Sequence, residues 1–181
     1  VDHPDNPGRK IMSLRKTNAE NAATAVRNFP FGVRGRLDLK LRLQTDFQGT
    51  RVCLSDCYWL PPIERKGRFG ILIEPNGRLW TTGGDGNDVL TDLTVPMGRW
   101  CELSLIWDCT LRNCKVLLDG QWAANAWQLL APDLAEYPPN LAEGQKTPDA
   151  QGVCYLRLWS VAKGAGEGGI LVESVKVQVE P

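Results

Sequence analysis

The sequence predicts an all-β protein built as an antiparallel β-sandwich. Residues 36–44 alternate strictly between leucine and polar residues, which is the period of a strand with one buried face. Residues 100–108 and 114–118 form two further apolar runs, and the second ends at an Asp-Gly turn typical of antiparallel hairpins. Residues 18–27 have a helical composition but lack an apolar stripe, so we expect a loop that leads into an extended segment. Many short strands without helices between them favour a sandwich or a barrel.

The other strands follow from the same signals. Residues 68–73 run towards the Asn76-Gly77 pair, a strong hairpin signal, and the chain returns through 78–80. Residues 152–159 alternate again, and a glycine-rich turn connects them to a final strand over 170–179. This turn has the letters Gly-x-Gly-x-x-Gly, but a strand follows it instead of the helix that a phosphate site requires. We therefore interpret it as a hairpin turn.

The length of 181 residues fits a single domain, residues 1–181. One connection, residues 131–151, is long and contains four prolines; it is either a lid over a binding face or a solvated insertion without a role. Lysine and arginine total 21, and aspartate and glutamate also total 21, so the basic excess of a duplex nucleic-acid binder is missing. The apolar runs are far shorter than the roughly 18 residues of a membrane span. We expect neither nucleic acid nor a membrane as a partner.

The six cysteines are an even number, and two of them bracket the predicted hairpin connection. A Cys109–Cys114 disulfide would clamp that connection, and the chain-entropy model gives so small a loop about 2–3 kcal/mol. The alternative is that the thiols are reduced and buried, as we expect for Cys101 and Cys154 inside apolar strands. Zinc is not expected, because the one histidine is His3, near the start of the chain.

The hairpin region carries a family resemblance. Gly-x-Trp at 98–100, Leu-x-x-Asp at 105–108 and Val-x-x-Asp-Gly at 116–120 resemble the concanavalin A-like lectin/glucanase and laminin-G-like jelly rolls. The resemblance covers residues 9–180 and is nearest to the β-sandwiches appended to secreted bacterial sialidase-like and polysaccharide-active proteins. It implies a jelly-roll topology, carbohydrate as the partner, a fused catalytic domain and a secreted or periplasmic location.

The residues that catalysis would need are sparse. Jelly-roll glucanases carry Glu-x-Asp-x-x-Glu on one strand, whereas this chain has no Asp or Glu pair at i, i+2. Lyases with this fold use a histidine in motifs such as Gln-Ile-His, and His3 is the one histidine here. We therefore expect a non-catalytic carbohydrate-binding module. A polysaccharide lyase or glycoside hydrolase whose groups converge from distant strands, and a structural domain that braces a catalytic neighbour, remain alternatives.

Aromatic residues supply the candidate binding site, because sugars stack on aromatic rings while polar groups bind their hydroxyls. Tyr155, Arg157 and Trp159 share one face of a predicted strand. If this strand and residues 36–44 belong to one sheet, the charged face of the latter extends the surface into one suited to an acidic glycan. The alternative is that this face packs under a loop. The further candidate binding residues are Lys40, Arg42, Tyr58, Trp59 and Trp80.

One loop predicts a metal site. Asp85, Asn87 and Asp88 place hard oxygen ligands in a glycine-rich segment, and calcium favours such groups. The spacing is not that of an EF-hand, and short Gly/Asn/Asp loops are often plain turns. Calcium is therefore an option, and no other cofactor is expected.

Overall fold

Two antiparallel sheets packed face to face form the molecule, as seen in a computed structural model. The structure describes residues 1–16, 23–55, 69–82, 88–111, 113–123, 127–128, 152–161 and 168–180. These residues contain strands and turns and no helix, so the predicted all-β sandwich is confirmed. None of the described segments is a helix able to cross a membrane.

The first sheet has seven strands. They are β3 (Met12–Leu14), β5 (Arg34–Leu43), β10 (Trp100–Asp108), β11 (Asn113–Leu118), β12 (Gln121–Trp122), β13 (Trp127–Gln128) and β15 (Ile170–Glu180). Their order is β12-β11-β10-β5-β15-β3, and β13 also pairs with β11. The predicted hairpin between residues 100 and 118 is confirmed as the β10–β11 ladder.

The second sheet has six strands. They are β4 (Thr24–Gly32), β6 (Thr50–Ser55), β7 (Phe69–Ile73), β8 (Arg78–Thr82), β9 (Asp88–Thr94) and β14 (Val153–Ser160). Their order is β4-β14-β6-β7-β8-β9. A separate N-terminal hairpin consists of β1 (Asp2–His3) and β2 (Asn6–Lys10).

The core lies between the two sheets, and strict alternation along the strands builds it. The four leucines of β5 at positions 37, 39, 41 and 43 are at most 1% exposed, whereas the polar residues between them face outwards. Trp107 is in phase with the core residues of β10 and is 1% exposed, and its indole N–H donates to the carbonyl of Gly32 at 3.1 Å. Gly35, opposite Trp107 in the ladder, leaves room for the ring.

Turn chemistry explains two of the connections. Gly77 has a φ of +84°, which glycine adopts without strain, and its N–H bonds to Glu74 within the β7–β8 hairpin. Asp119 and Gly120, with φ of 49° and 81°, form a two-residue turn between β11 and β12. A left-handed backbone conformation at both central residues is typical of the type I′ hairpin turn.

The predicted Cys109–Cys114 disulfide is wrong, since no disulfide joins the cysteines that the structure describes. Cys114 pairs with Trp107 across the ladder and its fully buried thiol faces the core. Cys109 lies beyond the last ladder pair, Asp108 with Asn113, and is half-buried. The two cysteines therefore do not face each other across the strands.

Candidate functional site

The candidate site lies on the outer face of the six-stranded sheet. Leu156 and Leu158 point into the core, so alternation directs Tyr155, Arg157 and Trp159 to the opposite side of β14. The sequence prediction that these three side chains share one face of their strand therefore agrees with the observed burial pattern.

A row of side chains crosses this face at right angles to the strands. The ladder pairs Trp159 with Arg51, Arg51 with Leu72, Leu72 with Trp80, and Trp80 with Leu90. We call these five residues the tryptophan row. Its two tryptophans are three inter-strand spacings apart, about 14 Å. Trp80, which was predicted as a further candidate binding residue, thus lies on the same face as Arg157 and Trp159.

The two tryptophans differ in exposure. Trp159 is 2% exposed and lies outside the core cluster, so it is buried on the outer side of its sheet. Trp80 is half-buried, with the guanidinium of Arg78 5.8 Å from its ring centroid. The indole nitrogens of both are shielded from solvent and have no hydrogen-bond acceptor. Of the two rings, Trp80 is the more exposed.

Arg157 is held against Trp159. Its guanidinium lies 4.8 Å from the ring centroid of Trp159, and its Nε is shielded from solvent and has no acceptor. Burial lowers the pKa of Arg157 from its ordinary value, because desolvation disfavours the charged form. The side chain nevertheless carries its charge at neutral pH, because a guanidinium is not deprotonated under ordinary conditions in proteins.

Arg51 and Asp88 form an ion pair on the same face. Nη2 of Arg51 lies 2.7 Å from Oδ2 of Asp88, and Nη1 lies 3.4 Å from Oδ1, so the contact is bidentate. Both side chains are largely buried, at 14% and 22% exposed. The pair fixes a guanidinium within the tryptophan row and a carboxylate beside it, where both can hydrogen-bond to a polar ligand.

The expected extension of this surface by Lys40 and Arg42 is not observed. β5 belongs to the seven-stranded sheet and β14 to the six-stranded sheet, so their outward side chains face opposite sides of the sandwich. Each also has a partner: Arg42 lies 3.2 Å from Asp5, and Lys40 lies 2.5 Å from Glu173. Periodicity assigns a face of a strand, but only strand order decides which strands share a sheet.

These lysine and arginine contacts belong to a cluster under the N-terminal hairpin. His3 stacks on Trp100 with 5.0 Å between ring centroids, and the indole N–H of Trp100 donates to Asp5 at 2.7 Å. The bond from Trp100, followed by the nearby Arg42, lowers the pKa of Asp5. A hydrogen bond from Lys40 likewise lowers the pKa of Glu173, whose side chain is 7% exposed. The sequence analysis missed this cluster, since nothing in the polar N-terminal segment signals that it folds back onto β10.

Several predicted site residues lie outside the described part of the chain: Tyr58, Trp59, Asp85, Asn87 and the connection 131–151. Asp88, the described member of the predicted calcium set, is engaged with Arg51. Among the described residues no group of three or more His, Cys, Asp or Glu is arranged to hold a metal ion.

A cleft of about 350 Å³ opens at the lateral edge of the sandwich, between β3 and β15 on one side and β4 and β14 on the other. Three polar side chains that line it already have bonds: Lys10 to Asp2, Arg27 to the carbonyl of Val175, and Glu173 to Lys40. Arg157, by contrast, has no carboxylate partner among the described residues.

Solved structures share this architecture at low sequence identity. A sialidase superposes with a TM-score of 0.69 at 13% identity over 93% of this chain, and the chain spans 15% of that protein's length. The exoplasmic/lumenal domain of VIP36, bound to Ca²⁺ and Man3GlcNAc, superposes at 0.55 with 10% identity over 93% of this chain and 80% of its own. Sheep galectin-11 in complex with glycerol superposes with a TM-score of 0.50 at 13% identity, over 87% of this chain and 98% of its own. No family model and no curated protein matches the sequence.

The chain has the concanavalin A-like lectin/glucanase jelly-roll fold. This confirms the resemblance carried by the hairpin motifs. Jelly rolls of this kind include binders and enzymes, since an alginate lyase and the Crh5 transglycosylase also superpose on the chain. A shared fold does not specify an activity, so the function of this chain follows from the chemistry of its own site.

Proposed function

We propose that this jelly roll is a non-catalytic carbohydrate-binding module whose site is the outer face of the six-stranded sheet. The observation that supports the proposal is the tryptophan row, in which the half-buried ring of Trp80 lies beside the Arg51–Asp88 ion pair. Carbohydrate sites combine these two elements, because the C–H face of a sugar packs on an aromatic ring while its hydroxyl groups need donors and acceptors.

Each residue has a defined part in this proposal. Trp80 provides the stacking surface, and the Arg51–Asp88 pair beside it offers donors and acceptors to hydroxyl groups. Arg157 provides the cation that favours an acidic glycan, with Tyr155 next to it on the same face. Trp159 lies beneath Arg157 and holds its guanidinium in position.

The carboxylates on β9 support binding without hydrolysis. Asp88 and Asp92 are four residues apart on one strand, about 13 Å at the usual rise per residue. Paired glycosidase carboxylates are about 5–9.5 Å apart. Asp88 is also ion-paired to Arg51, which is not the environment of a general acid with a raised pKa.

The setting of the module is part of the same proposal. The chain spans 15% of the sialidase on which it superposes, a size relationship that fits an accessory domain within a larger glycan-active protein. We infer a secreted or periplasmic protein with a fused catalytic domain. Calcium remains an option near Asp88, and VIP36 is a structural neighbour whose solved form contains Ca²⁺.

The test is a screen of the purified chain on a glycan array, with and without calcium, followed by calorimetry on any ligand found. Trp80→Ala is expected to lower affinity for that ligand by about tenfold or more, the usual cost of losing a stacked aromatic side chain. Trp122→Ala is the matched control, because Trp122 is 50% exposed on the other sheet. Equal effects of the two substitutions would contradict the assigned site, and reducing ends or unsaturated uronates released from the panel would favour an enzyme.

A further inference from the structure

Arg157 differs from most of the described arginines in its electrostatic surroundings. Most described arginines lie within 4.0 Å of a carboxylate; they are Arg9, Arg34, Arg36, Arg42, Arg51, Arg78 and Arg99. Within the described ranges, Arg157 has no such partner, although it is more buried than most of them. Arg157 is half-buried with its Nε shielded from solvent, and partial desolvation of a guanidinium is costly when no counter-charge lies near it. Its surroundings among the described residues therefore point to a ligand that supplies the charge.

The neighbours of Arg157 on the sheet cannot supply that charge. Across the ladder it pairs with Val26 on one side and with Cys53 on the other. Burial raises the pKa of the Cys53 thiol to about 12, so Cys53 is neutral at physiological pH. The carboxylate of Asp88 is bound to Arg51. The contact that positions Arg157 is the neutral ring of Trp159.

The guanidinium is nevertheless held in a defined place. Trp159 is buried and its ring centroid is 4.8 Å from the guanidinium carbon, a cation–π distance. Such a contact orients the planar group without using its N–H donors, and the terminal Nη groups, which are not among the shielded atoms, are available to a ligand.

We propose that Arg157 is the subsite for an anionic substituent of the bound glycan, either a carboxylate or a sulfate ester. The inference rests on the proposed carbohydrate-binding function and names the substrate class of that site. Arg157 and Trp159 lie at the β14 end of the face, and Trp80 is about 14 Å away across three strand spacings. An anion at Arg157 and a sugar ring stacked on Trp80 are too far apart to belong to one sugar unit. They therefore belong to different sugar units of one glycan, so the ligand is an acidic oligosaccharide and not a monosaccharide.

The experiment compares matched neutral and anionic ligands by titration calorimetry on the full chain. One pair is a polyuronate fragment and its carboxyl-reduced form, and the other is a sulfated galactan fragment and its desulfated form. The proteins are the unmodified chain, Arg157→Gln and Arg99→Gln, the last being an exposed arginine bound to Asp119 away from the face. Circular dichroism checks that each variant keeps the β-sheet signal of the unmodified chain.

We expect the anionic member of one pair to bind at least about tenfold more tightly than its neutral form, as a charge-assisted hydrogen bond predicts. Arg157→Gln should abolish that preference by lowering affinity for the anionic form by about tenfold or more, and Arg99→Gln should preserve it. The pair that shows the preference distinguishes carboxylate from sulfate.

The two proposals fail in different ways. If the anionic and neutral forms bind equally, and Trp80→Ala weakens both, the anionic subsite is overturned while carbohydrate binding stands. If Arg157→Gln folds normally and keeps the full preference for the anionic form, the assignment to Arg157 is overturned. If none of the four ligands and no glycan on the array binds, both proposals are overturned.

Discussion

The guanidinium of Arg157 lies over the buried ring of Trp159 at 4.8 Å, and this contact takes the place that a carboxylate fills for most of the arginines that the structure describes. The two residues are two positions apart on β14, so the strand period itself brings them together. The contact supports a cation at the surface of a sheet without neutralising it. It therefore links the packing of the outer face to the charge of the proposed ligand.

The two buried tryptophans allow a matched comparison of stability. Trp107 donates its indole N–H to the carbonyl of Gly32, whereas the indole N–H of Trp159 has no acceptor. Trp107→Phe and Trp159→Phe remove the same atoms, but only the first breaks a buried hydrogen bond. We expect Trp107→Phe to lower the free energy of unfolding by about 1–3 kcal/mol more than Trp159→Phe. Urea unfolding measures this difference, and equal losses would contradict the assigned bond.

Gly35 is predicted to be intolerant of alanine. A Cβ at this position would lie 2.4 Å from Cζ2 of Trp107 and 2.5 Å from the carbonyl oxygen of Gln178, and neither group can move freely inside the sandwich. We expect Gly35→Ala to cost about 3 kcal/mol or more, measured by urea unfolding. Gly98→Ala is the control, because no atom lies within 4 Å of its Cβ position and its positive φ costs about 1–2 kcal/mol. A smaller loss for Gly35→Ala than for Gly98→Ala would contradict the packing described.

The N-terminal cluster predicts a loss of stability in acid. The pKa of Glu173 is lowered from 4.5, first by the hydrogen bond from Lys40 and then by the charges of Lys40 and Arg9. A carboxyl with a lowered pKa stabilises the folded state above its unfolded pKa, and this contribution disappears as the pH falls through the folded value. We expect the difference in unfolding free energy between the unmodified chain and Glu173→Gln to be constant above about pH 5 and to shrink below pH 4.5.

Urea unfolding at a series of pH values measures that difference. Glu180→Gln, a change at an exposed position near the end of the same strand, is the control. If Glu173→Gln and Glu180→Gln show the same pH profile, the ion pairs of Glu173 do not contribute to stability.

Chemical modification tests whether the described cysteines are free thiols, as the structure has them. Burial raises the pKa values of Cys53 and Cys101 to about 12, so neither is a thiolate near pH 8. We expect both to resist iodoacetamide in the folded protein and to react after unfolding in urea. Peptide mapping by mass spectrometry under non-reducing conditions should also detect no link between Cys109 and Cys114. Detection of that link would restore the disulfide predicted from the spacing.

Much of the fold could be predicted from local patterns, because the alternation of apolar and polar residues in a strand indicates which of its faces is buried. The leucine alternation of β5 and the turn residues Asn76-Gly77 and Asp119-Gly120 each specify a conformation within a few positions. The same alternation predicted that Tyr155, Arg157 and Trp159 share one face of β14. Disulfide formation was different, since spacing in the chain does not say whether two side chains face each other across a ladder.

The sequence by itself determined the all-β class, the period of each strand and the residues that turn the chain, because these depend on interactions between near neighbours. Only the tertiary structure decided that Trp80 joins Trp159 on one face, that Lys40 and Arg42 lie on the other sheet, and that His3 folds onto Trp100. The physical reason is that strand order and hairpin docking are set by pairings between residues far apart in the chain. Such pairings are chosen by the packing of the whole sandwich, and no single segment encodes them.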